Sequence, residues 1–128
     1  MKMLVVDDSK AIRTFLTALA EELSFATEAA CDGREGLEVL IRNDPRAPFE
    51  VVLVDWEMPR MNGLELVQAV RRNRDFDGLK ILMVTTLNSM DRVAEALEAG
   101  ANDFLMKPVT RETLADKLQI LGVLEYNA

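Results

Sequence analysis

The chain has 128 residues, 15 basic against 22 acidic, for a formal charge of −7 and a pI near 4.6. That length makes one ordinary domain with a real core, and the charge excludes the clustered Lys and Arg of a nucleic-acid footprint. Histidine is absent, which excludes Ser-His and Cys-His triads, histidine-ligated zinc and a phosphohistidine of the chain's own.

No apolar run approaches the ~18 residues of a membrane span. The start, Met1-Lys2-Met3, leads into Leu4-Val5-Val6 and then meets Asp7 and Asp8. That is no signal-peptide core, so a cytoplasmic protein is expected. A single cysteine, Cys31, cannot close an internal disulfide and fits a reducing compartment. It reads as a small core or strand residue.

Short aliphatic runs alternate with segments of helical spacing. A first strand is expected over Met3–Val6. The helix after it carries Ile12, Phe15, Leu16, Leu19 and Leu23 at steps of three and four, with Asp8 a candidate N-cap. A second strand over Ala26–Cys31 precedes a helix over Arg34–Arg42, with Leu37, Leu40 and Ile41. Asp32 before that helix and Glu35 three residues on form a capping-box pattern. Residues Asn43–Glu50, with Pro45 and Pro48, read as a surface loop. The unbroken apolar run Val51–Val54 is a third strand. Asn62-Gly63 opens a third helix carrying Leu64, Val67 and Val70, and Asn62 with Glu65 repeats the capping pattern. A fourth strand over Leu79–Val84 leads to a helix over Ser89–Ala99, with Val93, Ala96 and Leu97, stopped by Gly100. A fifth strand over Asp103–Met106 and a helix from Thr110, with Leu114, Leu118 and Leu121, complete the pattern. Residues 125–128 read as a short tail.

Five β-α units with continuously apolar inner strands predict an α/β fold: a doubly wound, five-stranded parallel sheet, (βα)5. Ligands of such sheets bind outside the carboxyl ends of the strands. There the sequence places Asp7 and Asp8 after strand one, Asp55 after strand three, Thr85 and Thr86 after strand four, and Lys107-Pro108 after strand five. Each has an ordinary explanation alone: a helix cap, a strand threonine, a solvated lysine. Together, three converging carboxylates repel one another unless a cation or proton intervenes. Oxygen-only ligands favour magnesium, with manganese the alternative, over zinc or copper. A divalent ion beside a carboxylate nucleophile organises phosphoryl transfer, with Lys107 and Thr85 able to contact phosphoryl oxygens. Asp55, alone at the end of the central apolar strand, is the acceptor candidate.

Four segments carry a family resemblance: Val-Val-Asp-Asp-Ser at 5–9, Asp-Trp-Glu-Met-Pro-Arg-Met-Asn-Gly at 55–63, Val-Thr-Thr at 84–86 and Phe-Leu-Met-Lys-Pro at 104–108. In that order and at those strand ends they resemble the receiver domain of bacterial two-component response regulators, from about Met3 to Leu124. The stand-alone chemotaxis type is the particular likeness. The resemblance implies a single receiver domain over 1–128 with strand order 2-1-3-4-5. It implies that Asp55 accepts a phosphoryl group from the phosphohistidine of a sensor histidine kinase. It implies a magnesium site made by Asp7, Asp8, Asp55 and the Glu57 backbone carbonyl. Lys107 would contact the phosphoryl group, Thr85 would swing to bond it, and Phe104 would follow as the switch aromatic. A cis Lys107–Pro108 bond is also implied. Phosphorylation would bias a face made by the fourth helix, fifth strand and fifth helix. That face would bind an output protein, such as a flagellar motor switch component or another regulator. No nucleic-acid or membrane partner is expected, and the unphosphorylated chain is expected to be a monomer.

Four positions depart from the family pattern or qualify it. Glu57 stands where a neutral side chain, frequently Asn, is common. It would either tune dephosphorylation or be an exposed loop carboxylate. Phe104 lacks a tyrosine hydroxyl and is either the switch aromatic or a core residue of strand five. Thr86 is small enough to leave the acceptor accessible. Trp56 is expected to be half-exposed beside the site, the alternative being a buried structural residue. Competing functions are a magnesium-dependent phosphatase with an aspartyl nucleophile and a phosphate sink or relay receiver excised from a larger regulator. The phosphatase usually needs a second Asp where Glu57 stands. A flavodoxin-like carrier would need a Ser-, Thr- and Gly-rich loop after strand one, which is missing. The expectation is therefore a binding switch and not an enzyme, beyond self-catalysed phosphorylation and dephosphorylation at Asp55.

Overall fold

Side chains that alternate between the two faces of each inner strand build two cores on one sheet. The computed structural model describes residues 1–125. The strands are β1 (Lys2–Val6), β2 (Ala26–Ala30), β3 (Phe49–Asp55), β4 (Lys80–Thr85) and β5 (Asp103–Met106). They form a parallel sheet in the order β2-β1-β3-β4-β5. The helices are α1 (Lys10–Glu22), α2 (Gly33–Arg42), α3 (Gly63–Arg72), α4 (Val93–Ala99) and α5 (Arg111–Ile120). The expected α/β fold and strand order are thus present. Of the expected tail, residues 125–128, the last three lie outside the described residues.

Residues 3–6, 51–54 and 81–84 are each at most 1% exposed, as parallel strands covered on both faces require. Leu4, Val6, Val52 and Val54 face one side, against Val39 of α2, Leu66 and Val70 of α3 and Ala96 of α4. Met3, Val5, Val51 and Leu53 face the other, against Leu16 and Ala20 of α1 and Leu114 and Leu118 of α5. The two-residue period of a strand makes this division. No helix among the described residues is long and apolar enough to cross a membrane.

Several boundaries differ from the sequence expectation. The strand β3 begins at Phe49, so the surface loop ends two residues early. Phe49 pairs with Lys2 across a register irregularity, and the Lys2 ammonium lies 4.3 Å from its ring centroid. The helix α1 is capped by Ser9 rather than Asp8. Ser9 Oγ accepts from the Ile12 amide at 3.3 Å, while Asp7 Oδ1 accepts the Ser9 amide at 2.9 Å. The expected fourth helix is split: Leu87–Arg92 is a 3₁₀ segment, and α4 is short. Neither start has a side-chain cap, so the tighter turn supplies the entry. Phe15, Ile41 and Leu97 are exposed despite their helical spacing. The caps expected at Asp32 and Asn62 are formed, the latter as a reciprocal box with Glu65.

Candidate functional site

Because every strand runs the same way, residues far apart in sequence meet at one sheet edge. Asp7 follows β1 and is buried, Asp8 beside it is exposed, and Asp55 ends β3 at 8% exposure. One carboxylate oxygen from each lies within 4.8 Å of the others. Lys107, just past β5, places Nζ 3.1 Å from Asp55 Oδ1 and 3.8 Å from Asp7 Oδ2.

Backbone bonds fix this arrangement. The Asp7 amide donates to the Ala30 carbonyl at 3.1 Å, and Arg13 donates to the Asp7 carbonyl at 2.7 Å. The Lys107 amide donates to the Thr85 carbonyl at 2.7 Å, tying the ends of β5 and β4 together. The Lys107–Pro108 bond is cis, as the family resemblance implied.

The electrostatics are unbalanced. Burial, then the charge of Asp7, pushes the Asp55 carboxyl up to about 6, against the opposing pull of Lys107. Burial also raises Asp7, outweighing the Ser9 amide and Lys107. Asp7 Oδ2 is buried without a hydrogen-bond partner. One ammonium thus faces three carboxylates, and one buried acceptor is unsatisfied, which ordinarily costs stability. This donor set fits a hard divalent cation, because it offers oxygen ligands, excess negative charge and an acceptor awaiting a partner.

The remaining expected residues occupy varied environments. Thr85 ends β4, is buried, and donates its hydroxyl to the Thr86 carbonyl at 3.3 Å. Thr86 and Glu57 are exposed. Phe104 is half-buried against the α2–α3–α4 side of the core, with the Lys117 ammonium 5.1 Å from its ring centroid. Trp56 is 5% exposed, which corrects the half-exposed expectation. Its amide donates to the Val84 carbonyl, and its carbonyl accepts from Gly63 at 2.9 Å. A Cβ on Gly63 would stand 2.7 Å from the Asp55 carbonyl, so the missing side chain lets α3 close over Trp56. The Cys31 thiol donates to Glu35 at 2.9 Å, and that bond raises its pKa, which disfavours a reactive thiolate.

Sequence reasoning missed two arginines. Arg60, with φ 65° in the loop between β3 and α3, pairs with Asp32 in the turn between β2 and α2. Arg71 donates to the carbonyls of Phe76, Leu79 and Gly100. Neither belongs to a periodic pattern, so no one-dimensional signal marks them.

Comparison with known proteins gives consistent likenesses. The family model described as "Response regulator receiver domain" matches residues 3–119. Chemotaxis protein CheY1 of Helicobacter pylori is 37% identical over 121 residues, covering 94% of this chain and 96% of that protein. The chemotaxis protein CheY homolog of Campylobacter jejuni is 38% identical over 124 residues, covering 95% and 93%. The solved structure of Vibrio cholerae chemotaxis response regulator CheY4 superposes with a TM-score of 0.84 at 38% identity, covering 94% of this chain and 97% of that one.

Proposed function

Because the chain belongs to the response regulator receiver domain family, we propose that it is a phosphorylation-activated signalling switch whose phosphoacceptor is Asp55. The observation that carries this reading is Asp55 itself. It sits at the end of β3, inside a cluster of three carboxylates and 3.1 Å from the Lys107 ammonium.

Asp7, Asp8, Asp55 and the Glu57 backbone carbonyl would hold magnesium, or manganese. The ion's positive charge would stabilise the oxygens of the transferring group. An Asp55 carboxylate oxygen attacks the phosphorus of the donor's phosphohistidine. The phosphorus–nitrogen bond breaks, and the imidazole leaves with its electron pair. Lys107 transfers its contact from the Asp55 carboxylate to a phosphoryl oxygen. The phosphoryl group brings about −1.5 to −2 of charge and three acceptor oxygens. Thr85 then turns its hydroxyl from the Thr86 carbonyl toward one of those oxygens. Phe104 moves into the space this vacates, and the face of α4, β5 and α5 shifts population.

The partners on this reading are a sensor histidine kinase and an output protein bound by that face. A flagellar motor switch component suits relatives named as chemotaxis proteins. Another regulator, or use as a phosphate sink or relay, would employ the same chemistry. The receiver spans residues 1–128 as one domain, works in the cytoplasm and is monomeric before phosphorylation. Catalysis is limited to self-phosphorylation and dephosphorylation. Thr86 leaves the acceptor open, and Glu57 tunes phosphate lifetime. Equal decay rates for wild type and Glu57→Asn would remove that tuning role.

Acetyl phosphate with magnesium tests the core of this reading. Wild type is expected to be labelled at Asp55, and Asp55→Asn to stay unlabelled. An unlabelled wild type overturns it.

A further inference from the structure

The loop from Glu57 to Asn62 carries the backbone carbonyl assigned above to the cation. Its base is closed by the Gly63 amide on the Trp56 carbonyl. Its far end is held by a separate device. Arg60 adopts φ 65°, a region that side chains other than glycine rarely enter. From there its Nε donates to Asp32 Oδ2 at 2.9 Å, and a terminal nitrogen donates to the same oxygen. Next to it, the Gly33 amide donates to the Met61 carbonyl at 3.2 Å. A Cβ on Gly33 would stand 2.5 Å from that carbonyl. Two successive loop residues are therefore moored to the turn between β2 and α2.

The carboxylate that receives Arg60 is itself rigid. Asp32 is 1% exposed, and its Oδ1 accepts the Glu35 amide at 2.8 Å at the start of α2. Arg60 is 62% exposed. Exposed cations usually gain little from pairing, but a charge-assisted bond onto a buried, pre-oriented carboxylate is stronger and directional. Asp32 lies outside the cluster of Asp7, Asp8 and Asp55. Arg60 therefore contributes no ligand and acts through the backbone of its own loop.

We infer that the Arg60–Asp32 ion pair is a positioning device for the divalent-cation site. By mooring the loop tip, it keeps the Glu57 carbonyl in the orientation a cation requires. This rests on the reading of Asp7, Asp8 and Asp55 as that site. Without the pair, the loop keeps its base and one amide bond, and the ion must order the rest on binding. Affinity falls although all three carboxylates remain.

Calorimetric titration of the full chain with magnesium chloride tests this directly, without any phosphoryl donor. Arg60→Ala is expected to raise the magnesium Kd about tenfold, the scale of outer-shell substitutions at metal sites. Arg60→Lys is expected to recover at least half of that loss, because both arginine donors meet one oxygen and an ammonium can replace them. Asn73→Ala removes a cap on the turn beyond the far end of α3 and controls for general loosening. It is expected to leave Kd unchanged. Equal Kd for wild type and Arg60→Ala overturns the positioning role while the cation site stands. So does a rise that Arg60→Lys fails to recover, or one that Asn73→Ala reproduces. A wild type that takes up no magnesium overturns the cation site, and the positioning role with it.

Discussion

Lys107 Nζ donates to Asp55 Oδ1 at 3.1 Å, yet the Asp55 carboxyl is still pushed up to about 6. Burial and the neighbouring charge of Asp7 outweigh the ammonium, which also lies 3.8 Å from Asp7 Oδ2. The Lys107 ammonium is shared between Asp55 and Asp7, and Arg13, bonded to the Asp7 carbonyl, does not make up the difference. The site is built with a deficit of positive charge that a divalent ion would correct.

A pH dependence follows from that deficit. Below about 6, Asp55 carries a proton, which on the proposed reading would compete with a cation and block attack on a phosphoryl donor. Magnesium affinity is therefore expected to fall about tenfold per pH unit as pH drops below about 6. Acetyl phosphate labelling should decline over the same range. Titrations at a series of pH values check both, and in Asp55→Asn the inflection in magnesium affinity near 6 should vanish.

The same group makes a stability prediction of definite sign. Its folded pKa lies above the ordinary value of 3.8, so folding favours the protonated form. That stabilisation is complete below the unfolded value and is lost as pH rises through about 6. At neutral pH the ionised carboxylate opposes folding. Asp55→Asn should then stabilise the cation-free protein by about 1–3 kcal/mol at neutral pH, with the gain fading in acid. Denaturant unfolding at two pH values reads this. Added magnesium should stabilise wild type and leave the variant nearly unmoved.

The parts of this site that sequence reasoning reached are those that topology collects. Asp55 and Lys107 are 52 positions apart, but each follows a recognisable apolar strand, and parallel strands end on one edge. The inner strands were legible because burial on both faces leaves them unbroken by polar residues. Trp56 was not, because its polar neighbours Asp55 and Glu57 suggest exposure. Its burial depends instead on Gly63 lacking a Cβ where α3 approaches. The cap at Ser9 depends on where the Asp7 carboxylate turns, which no spacing encodes. Arg60 and Asp32, 28 positions apart, meet through a loop with no period at all.

Phe104 offers a way to separate switching from packing. Its ring is half-buried, and Lys117 both approaches it at 5.1 Å and donates to Asp103 at 2.9 Å. Phe104→Leu keeps an apolar side chain of similar reach and should change stability by less than about 1.5 kcal/mol. Beryllofluoride added to the variant should still shift the amide resonances around Asp55. The response along α4 and β5 should shrink. An undiminished response there would make Phe104 a core residue only.

Arg71 supplies a mechanical prediction for the opposite end of the α4 face. Its guanidinium donates to the carbonyls of Phe76 and Leu79 at 2.7 Å, to Gly100 at 3.0 Å and to Asn102 Oδ1 at 3.0 Å. Burial holds its pKa below the usual arginine range, and the four donated bonds offset that desolvation. Gly100 has φ 122°, and a Cβ there would stand 2.5 Å from Arg71 Cγ. The C-terminus of α4 is therefore clamped, while its N-terminus enters through an uncapped 3₁₀ segment. Movement of α4 should pivot about the clamped end. Arg71→Met keeps the stem but strands part-buried carbonyls, at an expected cost of about 2–3 kcal/mol. Arg71→Lys should recover little, because one ammonium cannot span acceptors on three segments. Denaturant unfolding measures the cost, and amide exchange locates it. In Arg71→Met, protection should be lost first at the Ala96 to Ala101 end of α4, and unaltered exchange there would rule out the clamp.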